Sequence, residues 1–142
     1  MKEVTREELK QKAFDFLNKE KIMVLGTSAD NMVWSASMHF VETPDFEIIF
    51  FSNPKSRHCQ NIFKNKNVSA VMINEKTVTS IQLAGVCRIA DGVAWDKYFE
   101  IYAGKVKNAA KRVDQVIYVI KPEEVWMIDE KITGGRSRTQ VI

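Results

Sequence analysis

Phe46-Glu47-Ile48-Ile49-Phe50-Phe51 is a dense apolar run that passes at once into the polar, cationic stretch Ser52-Asn53-Pro54-Lys55-Ser56-Arg57-His58. The run is too short for a helix and rich in isoleucine and phenylalanine, so Phe46 to Phe51 is expected as a buried strand. Asn53-Pro54 ends it and Ser56 is placed to cap a following helix, to which Cys59, Ile62 and Phe63 give a buried face. A strand feeds a helix through a polar loop.

Thr5 followed by Glu8 is a capping-box pattern, and Leu9, Ala13, Phe16 and Leu17 recur at helical spacing, so an amphipathic helix opens the chain. Ile22 to Gly26 reads as a strand, Ala29-Asp30-Asn31 as a turn and Met32 to Val41 as a second run, before Thr43-Pro44-Asp45 breaks the chain again. Val68 to Ile73 and Thr77 to Ala90 are two further strands, with Gly85 suited to a bulge or sharp bend. Trp95, Tyr98, Phe99 and Tyr102 follow helical spacing and read as a core face rather than a stacking platform for a ligand. Val116 to Ile120 and Val125 to Ile128 are expected as two final strands around Lys121-Pro122, and Gly134-Gly135-Arg136-Ser137-Arg138 as a mobile basic tail. With no internal repeat, this order specifies a mainly β fold, a six- to seven-stranded antiparallel barrel with peripheral helices.

The length of 142 residues suits one domain over residues 1–142, and 45% hydrophobic with 27% charged residues is the balance of an ordinary globular protein. A net charge of +3 is too small to specify nucleic-acid binding, and Lys105, Lys107, Lys111 and Arg112 read as a solvated helical face. The charged residues 1–20 lack the apolar centre of a signal peptide, and no later stretch has the roughly 20 apolar residues of a membrane helix, so a cytoplasmic protein is expected. Cys59 and Cys87 show neither metal nor redox spacing and read as reduced thiols.

The junction at Ser52 to His58 has the chemistry of an anion site. Free amides and the positive end of a helix dipole favour a phosphate, and Arg57 adds a planar, charge-assisted donor pair. The apolar strand beside it suits a flat ring. The same residues also allow a plainer reading, in which Ser56 caps the helix and Lys55 and Arg57 face solvent.

Phe51-Ser52-Asn53 with Ser56-Arg57-His58 resembles the aromatic-Thr-Asn and Ser-Arg-Lys motif of the pyridoxamine 5′-phosphate oxidase-like FMN-binding split β-barrel family. The resemblance extends to Val33-Trp34-Ser35-Ala36-Ser37-Met38-His39-Phe40, to Asn65-Lys66-Asn67-Val68-Ser69-Ala70 without the usual proline, and to Ile81-Gln82-Leu83-Ala84-Gly85-Val86-Cys87 with its glycine. It implies a homodimer holding FMN between subunits. Ser37, Met38, His39, Phe40 and Val41 would line the flavin; Phe51 and Ser52 would meet the ring and ribityl chain; Ser56, Arg57 and His58 would hold the phosphate. Ser80 or Gln82, and Trp126 or Arg136, would come from the partner subunit.

His58 stands where the oxidases have lysine, which implies weaker or pH-dependent phosphate binding. The oxidases' C-terminal Trp and Arg signature has no clear counterpart, so the resemblance implies a flavin-dependent oxidoreductase acting on a small substrate with an electron donor, not the oxidase activity itself. The alternative is a flavin- or haem-binding protein that stores, carries or senses its ligand. His39 reads as structural rather than as a proton donor, although an axial haem ligand needs only one histidine. The two histidines are not at metal-ligand spacing with cysteines or carboxylates, and no Ser-His-Asp arrangement or paired carboxylates are visible.

Overall fold

Thr5 and Glu8 close the capping box at the start of α1 (Arg6–Lys19): the Glu8 amide donates to Thr5 Oγ1 at 3.1 Å and the Thr5 amide to Glu8 Oε2 at 3.2 Å. The structure, a computed structural model, describes residues 4–109, 115–133 and 138–142. Leu9, Ala13 and Leu17 are the buried stripe of α1, with Phe16 packed beside them.

The hairpin of β1 (Ile22–Ala29) and β2 (Met32–His39) turns at Asp30 and Asn31, with φ of 53° and 62°. Two successive positive φ values match the right-handed twist of paired strands, and Asp and Asn tolerate them at low cost. Along β1, Met23, Leu25, Thr27 and Ala29 are buried while Ile22 and Val24 are exposed, so one face of the hairpin enters the core and the other faces outward.

β3 (Val41–Glu42) and β4 (Ile48–Ser52) are buried at every position. Phe46, expected as the first strand residue, lies instead in the turn, with φ of 65°. Thr43 decides this: its Oγ1 accepts from the amides of Asp45 and Glu47 at 3.2 and 3.0 Å, drawing Phe46 into a closed loop. In α2 (Arg57–Lys64), Cys59 and Ile62 form the buried face, but Phe63 is 87% exposed. One residue on from Ile62 is about 100° around the helix, which takes Phe63 off the packed stripe.

β5 (Asn67–Asn74), β6 (Thr79–Ala90) and β7 (Val116–Asp129) complete the main antiparallel sheet, with α3 (Val93–Ala103) between β6 and β7. The two strands expected around Lys121-Pro122 are one continuous strand. Ala84 pairs with Glu124 but Gly85 with Pro122, leaving Glu123 as an extra residue at a bulge. Proline has no N–H to give a ladder and is tolerated at such a point, so the strand bends instead of ending. α4 (Glu130–Thr133) and β8 (Thr139–Gln140) follow, β8 pairing with β7.

The sheet order β2-β1-β5-β6-β7-β4-β3 forms a seven-strand path that curls into a split barrel, mainly β with peripheral helices. Its interior core includes Leu25, Phe50, Met72, Ile81, Ile120 and Met127. A second core lies outside the barrel wall under α3, where Tyr98 and Tyr102 cover Ile49, Phe51, Ile117 and Val119; the aromatic stripe is therefore a core face. Lys105 and Lys107, expected on a helix, lie in the turns beyond α3, while Lys111 and Arg112 fall outside the described residues. Among the described residues no helix is long and apolar enough to cross a membrane.

Candidate functional site

β4 and α2 meet at the turn Ser52 to Arg57. Ser56 occupies the N-cap position with extended backbone, yet no side chain caps α2. Its hydroxyl turns sideways instead, 3.4 Å from Ser52 Oγ and 3.2 Å from His58 Nε2, while Ser52 Oγ and His58 Nε2 share a 2.6 Å hydrogen bond. The first turn of α2 thus keeps amides that no side chain satisfies, at the positive end of the helix dipole. Arg57 is exposed, and its guanidinium lies 4.1 Å from the centroid of the Trp34 ring on β2. Among the described residues no carboxylate pairs with Arg57, so its N–H edges stay open above an aromatic floor.

The turn lies against β2 through the Arg57–Trp34 contact. β2 ends the sheet path on one side and β3 on the other, so each carries an outer edge along which the barrel is split. Edge amides and carbonyls of this kind are hydrogen-bonding groups available to a flat heterocycle.

The residues singled out in the sequence fall into three groups. Ser52, Ser56, Arg57 and His58 come together at the α2 turn. Ser37, Gln82 and Trp126 lie in one cross-strand row on the outward face, through the pairs Ser37–Val24, Val24–Val71, Val71–Gln82 and Gln82–Trp126. Ser80 sits one step along β6, opposite Ile128, and His39 is exposed opposite Ile22. Phe40, Val41 and Phe51 are core side chains, and Met38 packs against the interior core. Phe51 in particular is under α3, with its ring centroid 4.6 Å from that of Tyr102, so only its backbone is left for the barrel opening. The outward row and the α2 turn are separate groups. Arg136 lies outside the described residues.

Several residues escaped the sequence reading. Trp34 was visible as an aromatic in a strand, but nothing local tied it to Arg57. Arg138, just before β8, stacks 4.4 Å from the Trp126 centroid and reaches Gln82 Oε1 at 3.4 Å, which places a guanidinium on the outward row. Glu42 is 1% exposed with neither carboxylate oxygen hydrogen-bonded, and burial pushes its pKa up to about 8 against the opposing pull of Lys105. A single glutamate in Phe40-Val41-Glu42-Thr43 gives no sequence signal of that burial. Burial likewise lifts the Cys87 thiol to about 12, whereas for Cys59 the polar groups of His58, Ser52, Ser56 and Tyr118 outweigh burial and lower it to about 7.

The family model for pyridoxamine 5′-phosphate oxidase matches residues 9–129. The chain belongs to this family. Among curated proteins none matches the chain. Solved structures share the family fold at low identity. A heme binding protein from Mycobacterium smegmatis aligns with a TM-score of 0.75 at 13% identity, covering 99% of this chain and 58% of that one. HutZ, a heme storage protein from Vibrio cholerae, aligns at 0.69 and 16%, covering 84% and 92% of the two chains. A NimC/NimA family protein from Clostridium acetobutylicum aligns at 0.67 and 15%, covering 92% and 91%. The chain thus spans little more than half of the Mycobacterium protein but most of the other two.

Proposed function

We propose that the chain binds FMN across the split of the barrel, with the phosphate on the uncapped first turn of α2 and the ring along the edges of β2 and β3. The observation that carries this is Arg57. It is a guanidinium held on Trp34, without a carboxylate partner among the described residues, beside the helix turn where amides await an anion. Membership of the pyridoxamine 5′-phosphate oxidase family supports the same reading.

Bound there, FMN would supply hydride or electron transfer to a small substrate, and the chain would supply position and electrostatics. Ser52, Ser56 and His58 form a hydrogen-bonded cluster that fixes the turn, while Ser37 and His39 stand on the strand that borders the ring. The assembly is a cytoplasmic homodimer. Its seam is the outward sheet face, where Ile22, Val24, Val71 and Ile73 are exposed on adjoining strands and an apolar patch of this kind marks an interaction surface. Ser80, Gln82 and Trp126, on that same face, would then complete the site of the opposite subunit.

A second reading is haem storage or transport, favoured by the two neighbours whose names state haem binding and by the exposed His39 imidazole at the end of β2. One absorption spectrum of the purified protein separates the two. Flavin bands, bleached by NADH or NADPH, support the oxidoreductase; a Soret band supports haem. Arg57→Ala is expected to lose about 1.5–3 kcal/mol of FMN affinity, the worth of a charge-assisted hydrogen bond. Fluorescence titration showing unchanged affinity would place the phosphate elsewhere.

A further inference from the structure

The α2 turn is closed from within by a triangle of two hydroxyls and one imidazole. Ser52 Oγ at 2.6 Å and Ser56 Oγ at 3.2 Å converge on the same atom, His58 Nε2, and the two hydroxyls are 3.4 Å apart. Ser56 stands at the N-cap of α2, beside the amides where the FMN phosphate is proposed, yet its hydroxyl is turned to the imidazole and caps none of them. Arg57, between Ser56 and His58 in the chain, is the one guanidinium of the turn. His58 Nε2 is thus spent on two serines, and its influence on an anion runs through them.

A neutral imidazole has one N–H and one lone pair, whereas an imidazolium has two N–H groups. Two hydroxyls converging on one nitrogen fit its lone pair, so with the neutral ring both serine protons go to His58. That leaves only hydroxyl lone pairs for anything beyond the turn, and these repel an anion. Once a proton from solvent occupies Nε2, that nitrogen donates to Ser52 Oγ, and the serine O–H bonds are free to rotate outward as donors. The positive charge adds its own attraction. We propose that His58 is the proton switch of this anion site, so that FMN binds with uptake of a proton at His58 and is released as that proton leaves. The inference rests on the FMN reading above and adds regulation to it. Imidazole suits the task because its ordinary titration falls in the physiological range, where a lysine would stay charged throughout.

Among the described residues no carboxylate pairs with His58. The titratable groups against it are Cys59 on α2 and, behind that thiol, Tyr118 of β7 and Cys87 of β6; β4 contributes the uncharged Phe50 ring, and Lys55 and Arg57 are the flanking cations. Cys59, at about 7, titrates in the same range, so His58 must be read by itself. The chain has two histidines, and proton NMR of the full chain, with His39→Gln to assign the signals, follows each ring separately. FMN is expected to move the His58 midpoint to a proton concentration at least about tenfold lower, and riboflavin, which lacks the phosphate, to leave it in place. By fluorescence titration, Ser56→Ala should weaken FMN binding about tenfold at about pH 6 and less than about threefold at about pH 8, where the hydroxyl is turned to His58. A serine that merely shaped the turn would cost the same at both. A His58 midpoint that FMN leaves unmoved or shifts the other way, a riboflavin shift equal to that of FMN, or an equal Ser56→Ala loss at both pH values would overturn the proposal. FMN binding indifferent to Arg57→Ala would bring down the phosphate reading and this inference with it, whereas Arg57-dependent binding with an unmoved His58 overturns this inference alone. The midpoint shift is read on the unsubstituted chain, so the result stands even where Ser56→Ala unfolds.

Discussion

Glu42 carries a carboxyl that folding moves from water into the protein interior, and the cost shows in its proton affinity. Burial raises its pKa from the ordinary carboxyl value of 4.5 to about 8. Between those values the native state binds more protons than the unfolded chain, so stability falls as pH rises through that window and is fully retained below it. Urea midpoints are therefore expected to decline from about pH 5 to about pH 8, and Glu42→Gln should remove most of that slope; a flat profile in the parent chain would show that the carboxyl is solvated. Arg57 is the contrasting case: a charge kept in solvent on an aromatic platform, where the proposed function puts an anion. Ser56 shows how a side chain can occupy its expected place with a different function, since a Ser before a helix reads as a cap and here binds His58 and Ser52 instead.

The element that shapes the barrel is the crossing of β6 and β7. A Cβ built on Gly85 would collide with the backbone carbonyl of Lys121 and sit 2.9 Å from Pro122 Cα, and neither backbone can swing aside as a side chain could. Gly85→Ala should cost about 2–4 kcal/mol, read as a lower melting temperature with unchanged strand content, because the bulge at Glu123 must open to admit the methyl group. Wild-type stability in that variant would mean the two strands are farther apart than this register requires. α3 acts at the same scale: by covering Phe51 it makes core of a side chain expected to meet a ligand, so that the ring of the proposed FMN is left to the edges of β2 and β3.

At the scale of the whole molecule, the outward sheet face is the seam of the proposed homodimer. Val24 and Val71 are cross-strand partners, 43% and 38% exposed, and Ile73 farther along β5 is 67% exposed. Val71→Asp is expected to raise the dimer dissociation constant by at least about a hundredfold, since a desolvated, unpaired charge at such a seam costs several kcal/mol. Sedimentation velocity checks this. If the seam also completes the flavin site, FMN retention falls with the dimer. A dimer of undiminished stability in Val71→Asp would move the seam to another face.

Local chemistry made much of this protein readable in advance. The capping box at Thr5 and Glu8, the Asp30-Asn31 hairpin turn and the polar turn after Phe51 depend on neighbours within a few residues, and the sequence by itself determined them. The features it could not supply come from residues far apart in the chain. Arg57 meets Trp34, Glu42 is closed in by Lys105 and α1, Phe51 is covered by Tyr102, and Pro122 bends β7 only because Gly85 lies opposite. Those are contacts of tertiary packing, and burial, on which both charge state and hydrogen-bond cost depend, exists only after the sheet has curled.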